Sequence, residues 1–198
     1  MKTETINVYK FSELSEKVQA KVIERRQERN ASDFESSNLT DQFDEIITEK
    51  GYTDMILRWS LGWCQGDGVA FYGKLNRDNL ITIGKRVLDS IDFMRLPGYL
   101  DIYDVEAKIS GEHNHYHHWN SMEVDIYANE DYHNDEDREF FVSFDRLVQD
   151  DVKTISIQLE KIGYEEITAN SCEETAKEEL YNEDEEEGER YLADGRLA

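Results

Sequence analysis

Apolar residues change period several times along the chain, and each change marks an element. Between residues 9 and 30, Leu14, Val18 and Val22 recur at helical spacing, with Phe11 as an entry contact. Ser12 or Ser15 is available as the N-cap. Arg25, Arg26 and Arg29 lie at the C-terminal end, where cations suit the helix dipole. A polar loop begins near Ala31. Thr40 then caps a second helix carrying Phe43, Ile46 and Ile47, with Gly51 following Lys50 as its C′ residue. The period next drops to two. Met55, Leu57, Trp59, Leu61 and Trp63 alternate with Ile56, Arg58, Ser60, Gly62 and Cys64, a strand with an aromatic-rich core face. Gln65-Gly66-Asp67-Gly68 is a turn, and Val69, Phe71 and Leu75 mark the returning strand.

Leu80, Ile83, Val87 and Ile91 predict a helix that ends before Pro97. A second strand pair follows. Tyr103, Val105, Ala107 and Ile109 alternate with charged residues, and so do Met122, Val124 and Ile126, as in an antiparallel sheet with one wet face. Beyond an acidic loop, Val148, Val152, Ile155, Leu159 and Ile162 return to helical spacing up to Gly163. Ser171-Cys172-Glu173-Glu174 has a capping-box pattern and predicts a short helix toward Tyr181. The expected fold is α+β in the order ααββαββαα. Its four-stranded antiparallel sheet is covered by helices on one face. Residues 1–170 would form one domain, with 171–198 appended as an acidic helix and tail.

Charge sharpens this picture. The chain of 198 residues carries 22 Lys+Arg against 45 Asp+Glu, a formal net charge of -23. Self-repulsion on that scale costs stability unless it is offset or exploited. Eight Phe, 11 Tyr and 3 Trp supply enough apolar surface for a core. The start has no apolar signal segment, no run is long enough to span a membrane, and Cys64 and Cys172 make no disulfide framework. These features predict a soluble protein of a reducing cytoplasm. The acids concentrate in two stretches. Glu130, Asp131, Asp135, Glu136, Asp137 and Glu139 lie in the loop after the last strand. Glu183, Asp184, Glu185, Glu186 and Glu187 form a like-charge block expected to be solvated and mobile. Such surfaces repel nucleic acid and attract basic clefts, including those that normally hold it.

Histidine offers the other candidate chemistry. If residues 113–125 form one unbroken strand, His113, His115 and His117 share a face with Glu123 and Asp125. Imidazoles and a carboxylate on one face suit Zn²⁺ or another divalent ion. Same-face residues lie about 7 Å apart along a strand, so three in a row overreach one ion. Two histidines and a ligand from another strand is the better geometry, and a turn at Asn120-Ser121 would destroy the shared face. No other cofactor is indicated. Gln65-Gly66-Asp67-Gly68 lacks the Lys-Ser/Thr of a phosphate-binding loop and reads as a tight turn. Cys64 reads as a buried structural cysteine. Trp59 and Trp63 read as core, and Trp119 falls on the histidine side.

Several segments carry a resemblance. They are Tyr9-Lys10-Phe11-Ser12-Glu13-Leu14-Ser15, the central run from Trp59 through Gln65-Gly66-Asp67-Gly68 to Gly73, His117-His118-Trp119-Asn120-Ser121-Met122, and Tyr191-Leu192-Ala193-Asp194-Gly195-Arg196. With Gly163-Tyr164 and Asn170-Ser171, this resembles a family of small phage and prophage proteins, sometimes labelled antitoxin-like. The Gln-Gly-Asp-Gly segment with its aromatic flanks is the most specific part. The acidic stretches at 130–139 and 183–189 are heavier than that pattern, which points to a specialised binding role. Charge and resemblance together suggest a phage-encoded inhibitor in the cytoplasm of the infected host. It would bind a basic, nucleic-acid-handling host protein, as an anti-CRISPR or other anti-defence factor, by occlusion rather than catalysis. A metal-dependent hydrolase or nuclease on the histidine strand, and an antitoxin-like protein neutralising a basic toxin, are the alternatives. An exposed sheet edge would also allow a homodimer.

Overall fold

The computed structural model describes residues 7–32, 36–62, 64–111, 117–129, 131–186 and 188–198. The chain divides into two compact units, Ser36–Gly163 and a terminal unit of Met1–Glu35 with Tyr164–Ala198. The first turn, the N-terminal helix and the C-terminal segment thus share a unit, which is not the 1–170 and 171–198 division expected from composition.

The central unit is built on a four-stranded antiparallel sheet in the order β1-β2-β3-β4. The strands are β1 (Ile56–Ser60), β2 (Gly68–Leu75), β3 (Val105–Gly111) and β4 (Met122–Ala128). In β3 and β4 the alternation is as expected. Ala107, Ile109, Met122, Val124 and Ile126 are buried, while Glu106, Lys108, Glu123 and Tyr127 face water. Val69, Ala70 and Phe71 of β2 are all buried, as suits an inner strand. α2 (Ser36–Glu49) begins four residues before Thr40 and contributes Phe43 and Ile47 to the core. Gly51 closes it at φ +93, where a Cβ would lie 2.8 Å from Thr82.

Two expectations fail between β2 and β4. The helix expected to end before Pro97 is two helices, α3 (Arg77–Val87) and α4 (Ser90–Ile102), with Pro97 inside the second. The chain is extended at Leu88 and Asp89, and the Asp89 carboxylate accepts from the amides of Ile91 (2.8 Å) and Asp92 (2.9 Å). That cap restarts the helix. Burial of Leu96 and Leu100 carries it past the amide that Pro97 lacks. The histidine strand is also broken. A 3₁₀ turn at Trp119–Ser121 precedes β4, so His117 does not continue into it.

α5 (Asp135–Asn170) absorbs most of the expected acidic loop. Asn134 caps it through Oδ1, which accepts from the Asp137 amide at 3.0 Å. Asp135, Glu136 and Asp137 occupy the first turn, where negative charge suits the dipole. Phe140, Phe141 and Phe144 extend the apolar stripe toward Val148 and Val152. α5 also covers the β4 edge. Gln149 Oε1 accepts from the Val124 amide (2.8 Å), and Asp145 Oδ1 accepts from the Ile126 amide (2.9 Å). These contacts occupy groups through which an edge would recruit another strand.

The terminal unit packs α1 (Glu16–Ser32) with α6 (Glu173–Glu185) around Phe11, Leu14, Val22, Ile23, Ala176, Leu180 and Tyr191. Asp184 is buried and accepts from the Phe11 (2.8 Å) and Ser12 (2.7 Å) amides. Burial pushes its carboxyl up, but these hydrogen bonds and Lys10 outweigh burial and hold it below its ordinary 3.8. Glu189 is likewise below 4.5, with burial outweighed by Arg29 and Tyr191 hydrogen bonds. A depressed carboxyl contributes stability that is present above its unfolded value and lost as pH falls through its folded value. Protection factors of the Phe11 and Ser12 amides should therefore hold at pH 5 and fall at a pH well below 3.8, as Asp184 protonates. Equal protection at both would separate Asp184 from the anchoring of this turn.

Candidate functional site

α4 is apolar nearly all round, and its outward side is the least explained surface of the central unit. Ile91, Met94, Gly98 and Ile102 follow one another at helical spacing. Ile91 is 62% exposed, Met94 74% and Ile102 50%, and a Cβ on Gly98 would meet nothing within 4 Å. Ile91, grouped by its spacing with Leu80, Ile83 and Val87, faces out, because the restart at Asp89 changes which side of the segment packs inward. The signal was present in the sequence: residues 90–102 carry more apolar positions than one buried face can use.

Beside this stripe lies the start of α5. Tyr99 packs on Phe140 (ring centroids 4.8 Å) and Phe141 (5.9 Å). Arg95 Nη1 bonds Glu136 Oε1 at 2.8 Å. The buried Tyr103 hydroxyl donates to Asp137, which also accepts from Asn134 Nδ2 at 3.0 Å. The Tyr103 hydrogen bond is the main cause holding the Asp137 carboxyl below its usual range. Asp137 is thus a fastener of the corner rather than part of its face. Asp131, Asp135, Glu136 and Glu139 remain exposed around it. Glu130 lies outside the described residues.

The C-terminal acids are placed differently from a solvated block. Glu183, Asp184 and Glu185 are helical. Glu183 pairs with Arg26 and Asp184 holds the first turn, so only Glu185 and Glu186 of this group face water among the described residues. Glu187 lies outside the described residues. A like-charge run folds here because a buried arginine and two backbone amides meet its inward members.

Of the metal candidates, His113 and His115 lie outside the described residues. Asp125 bonds Lys108 at 3.4 Å, and Glu123 is exposed on β4. His117 has a buried Nδ1 without a hydrogen-bond partner among the described residues; burial, then Arg58, lowers its pKa. Among the described residues no group of three or more His, Cys, Asp or Glu is placed to hold a metal. Trp119 is covered by Lys153, whose Nζ lies 4.0 Å from the ring centroid.

The Gln-Gly-Asp-Gly turn holds an anion of its own. Asp67 accepts from Ser60 Oγ (2.9 Å) and from the amides of Gly62 (2.7 Å) and Cys64 (2.6 Å). Amides that would cradle a phosphate are aimed at this carboxylate, which suits a structural turn. Gly66 takes φ +95, and a Cβ at Gly68 would lie 2.5 Å from the His117 carbonyl oxygen. Cys64 is exposed rather than buried. Trp59 is half-buried against Phe43 and donates to Thr40 Oγ1 at 3.0 Å, while Trp63 lies outside the described residues. Among the described residues no helix is long and apolar enough to cross a membrane. No family model, curated protein or solved structure matches the chain.

Proposed function

We propose that the chain is an acidic binding protein whose α4–α5 corner docks on a basic, nucleic-acid-handling host protein. The observation that carries this reading is the exposed Ile91, Met94 and Ile102 stripe on α4, a helix that Arg95 and Tyr99 tie to the start of α5, where Asp135 and Glu139 are exposed with Asp131 just before them. Protein interfaces combine an apolar centre with a polar rim. Solvent-facing apolar residues arranged as a stripe, rather than scattered singly, mark such centres. Methionine adapts its shape to a partner. The carboxylates select a cationic partner and speed encounter, and the net charge of -23 disfavours a second copy of the same chain. This supports an anti-CRISPR or other anti-defence inhibitor that acts by occlusion without chemistry. A basic toxin would satisfy the same surface.

The test is parallel capture from host lysate with the wild-type chain and Met94→Glu, followed by affinity measurement on the purified partner. The expected partner is a nucleic-acid-binding protein. Its affinity should fall steeply with salt, be competed by nucleic acid, and weaken at least about tenfold in Met94→Glu. Salt-independent binding that nucleic acid does not compete, or equal binding by Met94→Glu, overturns the proposal.

A further inference from the structure

The terminal unit contains a pocket of about 280 Å³ between α1 and the C-terminal segment. Val22 and the buried Tyr191 line its apolar part, and Arg25, Arg29 and Arg196 line it with positive charge beside Glu189. Arg26, behind them, is already tied to carboxylates. Arg29 is likewise paired with Glu189, at 2.8 Å, so Arg25 is the lining arginine without a carboxylate partner among the described residues.

We propose that this pocket binds a small anion carrying a compact apolar group, a carboxylate or a phosphate monoester. The charged end lies on Arg25 and Arg196, and the apolar end covers Val22 and Tyr191. Three observations lead there. Arg25 is exposed and donates one Nη1 bond to the Gly195 carbonyl at 3.0 Å. Among the described residues it has no carboxylate partner, so the rest of its planar fork suits a bidentate anion. Arg196 pairs with Asp194 at 2.8 Å, but both side chains are more than half exposed, at 69% and 55%. Such a pair contributes little and exchanges readily for a ligand. Finally, the volume is near the lower end for ligand pockets, which limits the ligand to a small body. The negative field of the chain is screened beyond about 8 Å at physiological ionic strength, so the local arginines govern binding. This site uses none of the α4–α5 corner and stands or falls separately from it.

Calorimetric or NMR titration of the full chain with phenyl phosphate, benzoate, inorganic phosphate and phenol tests the proposal at physiological salt. Phenyl phosphate and benzoate should bind saturably and shift Tyr191. Inorganic phosphate and phenol should each bind at least about tenfold more weakly than phenyl phosphate. Arg25→Gln and Arg196→Gln should each weaken binding about tenfold or more, while Met94→Glu should leave it unchanged. Arg25 and Arg196 are exposed, so both variants should keep the fold, which circular dichroism checks. If either variant unfolds, the wild-type ligand series still decides. Absence of saturation by about 10 mM for both organic anions overturns the proposal. So does inorganic phosphate binding as tightly as phenyl phosphate, or full affinity in a folded Arg25→Gln chain.

Discussion

Replacing Arg26 with methionine should destabilise the terminal unit by about 3 kcal/mol. The Arg26 side chain is only 7% exposed, and its two Nη atoms each lie 2.7 Å from Glu183. Glu189 approaches to 3.0 Å and Glu179 to 3.6 Å. Burial alone would lower the guanidinium pKa, but Glu183 and Glu189 outweigh it and raise it above the ordinary arginine value. A raised cation contributes stability that is fully present below its unfolded value, which covers all physiological pH. Methionine preserves much of the buried stem but leaves neighbouring carboxylates facing one another. The lower end of the range for a broken buried pair applies, because Glu183, Glu189 and Glu179 are 31%, 30% and 38% exposed and partly screened. Adding Glu183→Gln should recover about 1 kcal/mol by removing one of the stranded charges. Denaturant unfolding, with amide exchange in α6 as the local probe, measures both. A loss below about 1 kcal/mol would place the network with ordinary surface pairs.

Phe141→Ala should cost the central unit about 3–5 kcal/mol, the range for an aromatic removed from a packed core. The Phe141 ring is 1% exposed. It meets Tyr99 (5.9 Å), Tyr103 (5.7 Å), Tyr132 (5.5 Å) and Phe140 (5.5 Å between centroids). Removing it opens a void beneath the contacts that seat α4 against the start of α5, and those tyrosines cannot all close over it. Phe141→Leu should cost less than half as much, because most of the volume is kept. The neighbouring Val142 is 65% exposed, so Val142→Ala should change stability by less than about 0.5 kcal/mol. Under the proposed docking role, partner binding should weaken in Phe141→Ala even where the chain remains folded, since the corner loses its support. Urea midpoints for the three variants give the comparison, and equal costs for Phe141→Ala and Val142→Ala would deny this cluster its structural role.

Much of the central unit was legible as pattern. The alternation of Ala107 and Ile109 with Glu106 and Lys108 reports one wet face whatever the strand pairs with. Helical spacing from Val148 to Leu159 appears directly as the buried stripe of α5. The break at Asp89 was harder to see. Ile91 continues the spacing of Ile83 and Val87, and only the Asp89 carboxylate on the Ile91 and Asp92 amides shows that a new helix begins. Because that restart turns Ile91 and Met94 outward, the spacing that groups Ile91 with Ile83 and Val87 does not show the candidate surface, and only the excess of apolar positions over 90–102 hints at it.

Charge shows the same division. Composition by itself establishes a net charge of -23 and its two acidic concentrations, since these are counts along the chain. It does not establish which carboxylates reach solvent. Asp184 and Asp137 belong to the same acidic stretches as Glu185 and Glu139, yet they are buried on backbone amides and a tyrosine hydroxyl. Arg26 sits 157 positions from Glu183, and no local pattern announces their pairing. Periodicity and charge are properties of neighbours in sequence, so the chain alone decided the four strands of the sheet unit and the acidic excess. Hydrogen bonds and ion pairs between distant segments depend on packing, so only the tertiary structure decided which acids turn inward and which apolar face of α4 stays open.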